Sequence, residues 1–363
     1  MTNRELLFPK QKVELLFFRS FLIMKKFAIF FAALLVLSSG AAEKKKNTLP
    51  AGVKAIDYPC TVDNSMQKAM CFIAQGKQPR PLLVALHTWG GSYRQNCRNY
   101  ALFCVQNNWN FIFPDFRGPN RRPDACGSEK VVADIVDAVA YMKKAGKVDP
   151  ARVYLIGGSG GGHATLLLAG RHPELWTAVS AWCPISDIAA WYKERSTGTK
   201  NRGYAAHILK VCGGNPLKDP QAKAEAVKRS PLTWLARASQ VKVDISTGIH
   251  DGHTGSVPVS HALNAYNVLA DKKDRISRED IDFMTREQKI PEKFGKPEKD
   301  PSFGNRQVLF RRHSNRVRIT LFKGGHDILP AVSAEWLERQ VSGEAPDWKP
   351  GKEINSTAAE LSR

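Results

Sequence analysis

Residues Gly157 to Gly162 read GGSGGG, a single serine, Ser159, set among glycines. Glycine-rich turns either cradle a phosphate or display a nucleophile, and the neighbouring residues decide which. A phosphate loop ending in Gly-Lys-Ser/Thr needs a lysine to reach the phosphates. Here the glycines run into His163-Ala164-Thr165 instead. A dinucleotide fingerprint started at Gly158 keeps Gly160 but meets His163 where its third glycine should stand. What fits is G-x-S-x-G through Gly157, Ser159 and Gly161, a turn in which the serine takes strained dihedrals and its neighbours must lack bulk.

A serine hydroxyl becomes a useful nucleophile when a base takes its proton and an acid holds that base. Further along, GIHDGHTGSVP supplies Asp251 and KGGHDILP supplies His326. Both follow apolar runs, which places them at strand ends, and the chain order is Ser, acid, His. Asp244 and Asp327 are rival acids, but Asp244 lies inside its apolar run. His250 and His253 flank Asp251 and are read as plain loop residues, or as residues supporting the site or contacting substrate, rather than as bases. The remaining part is a pair of donors for a tetrahedral oxyanion. The loop LHTWGGSYRQ offers the backbone N–H of Trp89, to be paired with that of Gly160 at a helix N-terminus. The chemistry this set would do is acyl transfer through a covalent acyl-serine.

These residues need elements to hold them. Residues 53–74 predict a hairpin. Apolar runs at 81–87, 109–115, 151–157, 175–182, 241–248 and 316–322 predict core strands. Helical spacing follows at 96–107, at 131–144 (closed by Gly146), directly after Ser159, and at 260–270. Strand and helix alternate, so the expected class is α/β: a mostly parallel central sheet with helices on both faces. Residues 185–240 break the rhythm as a lid insertion, in which Trp191 and Tyr192 are candidate substrate-binding aromatics. Residues 272–315 are read as a charged surface excursion.

From Met24 the chain reads MKKFAIFFAALLVLSSGAA: two lysines, an apolar run of about eleven residues, then small residues. That is the pattern of a signal peptide at 24–42, too short an apolar run for a comfortable transmembrane helix. The expected protein is secreted or periplasmic with no stable membrane anchor, and residues 1–23 are read as a start called too early. A linker (43–52), a hydrolase domain (53–345) and a tail (346–363) complete the expected organisation. The formal net charge is +20, which favours anionic partners, an acidic polysaccharide among them. The basic residues are dispersed and lack an aromatic RNA-binding signature, so no nucleic-acid partner is expected. Seven cysteines in an exported chain permit disulfides, with Cys60 and Cys71 as the candidate pair across the hairpin. Metal-ligand spacings of the C-x-x-C and H-x-x-x-H kind are absent. Neither a metal nor a cofactor is expected.

With these pieces the chain resembles the α/β-hydrolase superfamily, most closely its prolyl-oligopeptidase-like branch, over about residues 80–340. The matching segments are LHTWGG, PDFRG (Pro114 to Gly118), GGSGGG, the Gly248…Asp251…Val257-Pro258 run, and GGH before Trp336-Leu337. The resemblance implies an α/β-hydrolase fold with Ser159, Asp251 and His326 as the triad. Oligopeptidases of that branch usually place an aromatic residue after the serine, where this chain has Gly160, and a glycine where it has Thr88. They also carry a β-propeller, for which the roughly forty residues between the signal and the first core strand leave no room. The sequence therefore favours a secreted serine esterase acting on small-molecule or oligosaccharide esters, such as acyl groups on carbohydrate. A prolyl-oligopeptidase-like peptidase is the alternative, and a non-catalytic glycan-binding scaffold a third reading. N-terminal sequencing of the exported protein is expected to find residues 1–23 and the apolar run missing; their retention would refute the signal reading.

Overall fold

The computed structural model describes residues 48–197 and 202–353. The early start, the signal peptide at 24–42, the first half of the linker and the last ten residues of the tail lie outside them. The compact unit begins at Leu49. Its strands are β1 (Lys54–Pro59), β2 (Met66–Phe72), β3 (Arg80–Leu86), β4 (Asn110–Pro114), β5 (Val148–Gly158), β6 (Ala178–Trp182), β7 (Lys242–Gly248), β8 (Val308–Ser314) and β9 (Val317–Phe322). They form a single sheet in the order β1-β2-β4-β3-β5-β6-β7-β9-β8. The run β4-β3-β5-β6-β7-β9 is parallel, and β1, β2 and β8 join antiparallel at the two edges. Parallel strands of this kind must be covered on both faces.

The helices are α1 (Arg98–Gln106), α2 (Glu129–Ala145), α3 (Gly160–Arg171), α4 (Ile188–Thr197), α5 (Arg202–Cys212), α6 (Pro220–Arg229), α7 (Pro231–Trp234), α8 (Val259–Leu269), α9 (Arg278–Glu287) and α10 (Pro330–Glu338). The strand period of two assigns the faces. Leu82, Val84 and Leu86 pack with α2, α3 and α8, whereas Leu83 and Ala85 pack with α1 and α10. Helix α2 shows how locally the elements are set. Ser128 caps it by accepting from the Val131 N–H, Glu129 occupies its first turn, and Lys143 and Lys144 close its last.

Two expectations need correction. The charged stretch 272–315 is not only an excursion: it contains α9 and the edge strand β8, antiparallel to β9. Arg311, Arg312 and His313 interrupt the apolar alternation that would have announced that strand. Cys60 and Cys71 do not face each other. The register pairs Cys71 with Lys54 at the open end of the hairpin, while the Cys60 N–H donates to the Ser65 carbonyl at the turn. All seven cysteines are buried free thiols. The described residues of 185–240 form helices α4 to α7 between β6 and β7. Among the described residues no helix is long and apolar enough to cross a membrane.

His163, whose side chain broke the dinucleotide pattern, is buried in α3, and its Nε2–H donates to the Arg229 carbonyl at 2.7 Å. Burial lowers its pKa from 6.5 to about 4, and burial also lowers that of His87. The unfolded chain takes up these protons near pH 6.5, while folded His163 refuses its proton until about pH 4. The stabilisation from neutral His163 is therefore complete above pH 6.5 and is lost as pH falls toward 4, with a ceiling of about 3 kcal/mol. Melting temperature is expected to drop across that window. In His163→Gln, whose amide can donate to the same carbonyl, the drop should be shallower; an unchanged profile would refute the assignment.

Candidate active site

Ser159 stands between β5 and α3 with φ 58 and ψ −119, the left-handed backbone that a strand-to-helix elbow requires. Its N–H donates to the Trp182 carbonyl at 2.8 Å, tying the elbow to β6. The glycines around it are contacts, not slack. A methyl group at Gly160 would stand 2.5 Å from the backbone N and Cα of Trp89. At Gly161 it would stand 2.6 Å from the Leu86 carbonyl oxygen, and at Gly162 2.7 Å from that of Trp182. At Gly157 it would collide with the backbone of Gly161. The turn thus wedges between the ends of β3 and β6, and only hydrogen fits at four of its positions.

The same wedge brings the Trp89 backbone against Gly160, as an oxyanion site needs. The first-turn N–H groups of α3, that of Gly160 included, have no carbonyl within their own helix to bond. The Trp89 loop is held from behind. Gln95 Oε1 accepts from both the N–H and the hydroxyl of Thr88, at 3.0 and 2.9 Å. Asp115 accepts from the Tyr93 N–H at 2.8 Å. His87 stacks on Phe116 with ring centroids 3.8 Å apart. Phe116, Arg117 and Gly118 all have positive φ, and the strained turn is clamped by Arg117, which donates to Asp134 and Asp63, both at 2.8 Å. This is the physical content of the PDFRG segment.

Asp251 and His326 are brought together at the ends of β7 and β9: His326 Nδ1 lies 2.7 Å from Asp251 Oδ2. The other carboxylate oxygen of Asp251 accepts from the N–H groups of Gly252 and Val257, at 2.8 and 3.1 Å. Asp251 is buried, whereas the His326 side chain keeps 23 % exposure, so the ring presents one edge to the acid and can present another to a substrate. Gly255 lies between them: a methyl there would meet Asp251 Oδ1 and stand 2.6 Å from His326 Cβ. The rival acids are committed elsewhere, Asp244 to Arg318 at 2.8 Å and Asp327 to Arg306 at 2.7 Å.

The residues expected to touch substrate are placed differently. Trp191 is 1 % exposed, and its indole N–H donates to the Ser256 carbonyl at 2.7 Å; its ring meets that of Trp89 at 4.8 Å. Tyr192 is buried beside it. His250 Nδ1 lies 3.0 Å from Gln288 Oε1, and His253 Nε2–H donates to the Thr285 carbonyl at 2.7 Å. Both histidines brace the Asp251 loop on the α9 segment. The sequence reading passed over Cys183. Its sulfur and ligand atoms of Asp251 and His326 all lie within 4.8 Å of one another. Burial, then the Asp251 carboxylate, pushes this thiol well up. Its position just after a strand end was the available signal.

A nucleophile elbow, an acid–histidine pair and an adjoining backbone-donor loop at the C-terminal edge of a parallel sheet define a serine hydrolase of the α/β-hydrolase class. Residues 125–284 match the model of the prolyl oligopeptidase family, so this part of the chain is similar to the prolyl-oligopeptidase-like branch of the α/β hydrolases. Two curated relatives from Oryza sativa subsp. japonica match. Acylamino-acid-releasing enzyme 2 is 26 % identical over 196 residues, 47 % of this chain and 24 % of its own. Acylamino-acid-releasing enzyme 1 is 28 % identical over 198 residues, 48 % of this chain and 25 % of its own. This chain therefore aligns with about a quarter of the length of those relatives. Among solved structures, the orthorhombic form of Pyrococcus horikoshii acylaminoacyl peptidase shares the fold with TM-score 0.54 and 15 % identity, over 86 % of this chain and 44 % of that one. An acylaminoacyl peptidase in complex with Z-Gly-Gly-Phe-chloromethyl ketone gives TM-score 0.55 and 15 % identity, with the same coverage.

Replacing Gly161 with Ala is expected to destabilise the fold by on the order of 2 kcal/mol, because the backbone carbonyls it meets cannot retreat, and to cut ester hydrolysis at least tenfold. Gly158→Ala, which meets only the Ile328 side chain, should be milder in both denaturant unfolding and turnover. Equal effects would overturn the wedge.

Proposed function

We propose that this chain is a serine peptidase that releases acylated or short N-terminal units from peptides. The observation that carries the reading is the match of residues 125–284 to the prolyl oligopeptidase family, supported by relatives named for acylamino-acid release. That segment contains Ser159 and Asp251, whereas Trp89 and His326 lie outside it. The carbohydrate esterase favoured by the sequence has no comparable support, although the same machinery cleaves activated esters.

In this reading Ser159 Oγ attacks the carbonyl carbon while His326 Nε2 takes its proton. Asp251 keeps the Nδ1–H of the ring directed at its carboxylate and stabilises the imidazolium. The N–H groups of Trp89 and Gly160 donate to the tetrahedral oxyanion, each contributing roughly 3 kcal/mol to lowering the barrier. Collapse expels the amine, which takes the proton from His326, and leaves the acyl group on Ser159. Water then attacks the acyl-enzyme with His326 again as base.

Ser159→Ala is expected to lower kcat by at least about a thousandfold on N-acetyl-aminoacyl anilides and on p-nitrophenyl acetate, without changing the melting temperature by more than a few degrees. A wild type that cleaves the ester but no anilide or peptide would sink the peptidase reading. Activity retained by Ser159→Ala would sink the mechanism.

A further inference from the structure

Cys183 follows β6 directly and takes a positive φ of 45. Its N–H donates to the Ser246 carbonyl at 2.8 Å, which ties it to β7. The thiol is buried, and no step of the proposed reaction uses it. Its sulfur, a carboxylate oxygen of Asp251 and a ring nitrogen of His326 all lie within 4.8 Å of one another. Among the described residues this is the one place where three donor atoms from histidine, cysteine and acidic side chains come so close.

That donor set has a chemical meaning. A thiolate, an imidazole nitrogen and a carboxylate oxygen are the ligand types of zinc, with bonds of about 2.0–2.3 Å. Ligand atoms around a tetrahedral ion with such bonds stand roughly 3–4 Å apart. The sulfur therefore has to close in slightly, and His326 Nδ1 and Asp251 Oδ2, now 2.7 Å apart, have to open. The other carboxylate oxygen of Asp251 stays with the N–H groups of Gly252 and Val257. Charge favours the ion as well. One thiolate and one carboxylate neutralise a divalent cation, so the buried group carries no net charge. Hard, oxygen-seeking cations such as Mg²⁺ and Ca²⁺ gain little from sulfur and nitrogen donors. The Asp251 side chain is fully buried while that of His326 keeps 23 % exposure, so the histidine is the open side of the set.

We propose that Cys183, Asp251 and His326 form an inhibitory site for Zn²⁺ and similar thiophilic divalent cations. Binding replaces the hydrogen bond between Asp251 and His326 with bonds from the ion to Sγ, Oδ2 and Nδ1. The thiol proton leaves to solvent, and the single proton of the neutral imidazole moves from Nδ1 to Nε2. A protonated Nε2 can no longer take the Ser159 proton, so acyl transfer stops. No bond to substrate forms and nothing is oxidised or reduced. The effect on turnover rests on the serine-hydrolase reading of the site, whereas the binding itself does not.

The test titrates the metal-free full chain with Zn²⁺, Co²⁺, Mg²⁺ and Ca²⁺. It follows p-nitrophenyl acetate hydrolysis and, for Co²⁺, the near-ultraviolet absorption of a cobalt–thiolate bond. Zn²⁺ is expected to lower turnover at least about tenfold, with EDTA restoring it and Mg²⁺ and Ca²⁺ without effect at the same concentration. Co²⁺ should give the thiolate band. Cys183→Ser should lose that band and need at least about tenfold more Zn²⁺ for half-inhibition, measured against its own metal-free rate. No inhibition by Zn²⁺, equal inhibition of Cys183→Ser, equal inhibition by Mg²⁺, or a thiolate band with undiminished hydrolysis overturns the inference. Should Cys183→Ser fail to fold, the Co²⁺ band in wild type and in His326→Gln decides it without any activity readout. No band in wild type, or a band of unchanged affinity in His326→Gln, overturns it. A chain that hydrolyses no ester but shows a band weakened in both variants supports the metal site and strikes the serine-hydrolase reading instead.

Discussion

Ser159 holds a left-handed backbone, φ 58, at the point where β5 becomes α3, and the rest of the site is arranged around that strain. A non-glycine residue in such a conformation persists only where its surroundings over-determine it. Here the surroundings are backbone: the Leu86 and His87 carbonyls, the Trp89 backbone and the Trp182 carbonyl all lie within close contact of the glycines flanking Ser159. Three strands, β3, β5 and β6, must therefore end at the same level and at fixed spacing. The parallel register that achieves this also sets the level at which β7 and β9 deliver Asp251 and His326.

The supporting interactions form a second layer with a consistent logic. Each loop that reaches the site is fixed by a residue outside it. The Trp89 loop is held by Gln95 and Asp115, and the Asp251 loop by α9 through His250 and His253. The turn bearing His326 is held through Asp327, which accepts from the Gly325 N–H and pairs with Arg306. The segment 272–315 therefore serves the site, since Gln288 and Thr285 brace the acid loop and Arg306 the histidine loop. The helices between β6 and β7 are equally part of the machinery. Trp89, Trp191 and Tyr204 form one aromatic cluster, so the insertion that would choose the substrate shares a packed core with the loop that would stabilise its oxyanion.

That coupling gives the substituted motif positions a physical reading. Where relatives of this branch usually carry an aromatic residue after the nucleophile, Gly160 lets the Trp89 backbone come to contact distance. Thr88, in place of a glycine, is accommodated because its hydroxyl donates to Gln95.

The fold class, the parallel core strands and the elbow were legible in the sequence because each depends on short-range rules: period-two burial, a glycine cluster between a strand and a helix, and polar residues just after apolar runs. Edge strand β8 was hidden because Arg311 and Arg312 can sit on an edge strand without the alternation that marks an interior one. Which residues face a substrate was likewise out of reach. Trp191, Tyr192, His250 and His253 had the right chemical types, but burial and hydrogen-bond commitment are set by neighbours distant in the chain, such as Ser256 and Gln288. The sequence by itself determined that Ser159, Asp251 and His326 would stand at strand ends in an α/β sheet. Only the tertiary structure decided which side chains are spent on holding those three, because that choice depends on which long-range partners packing brings within hydrogen-bond reach.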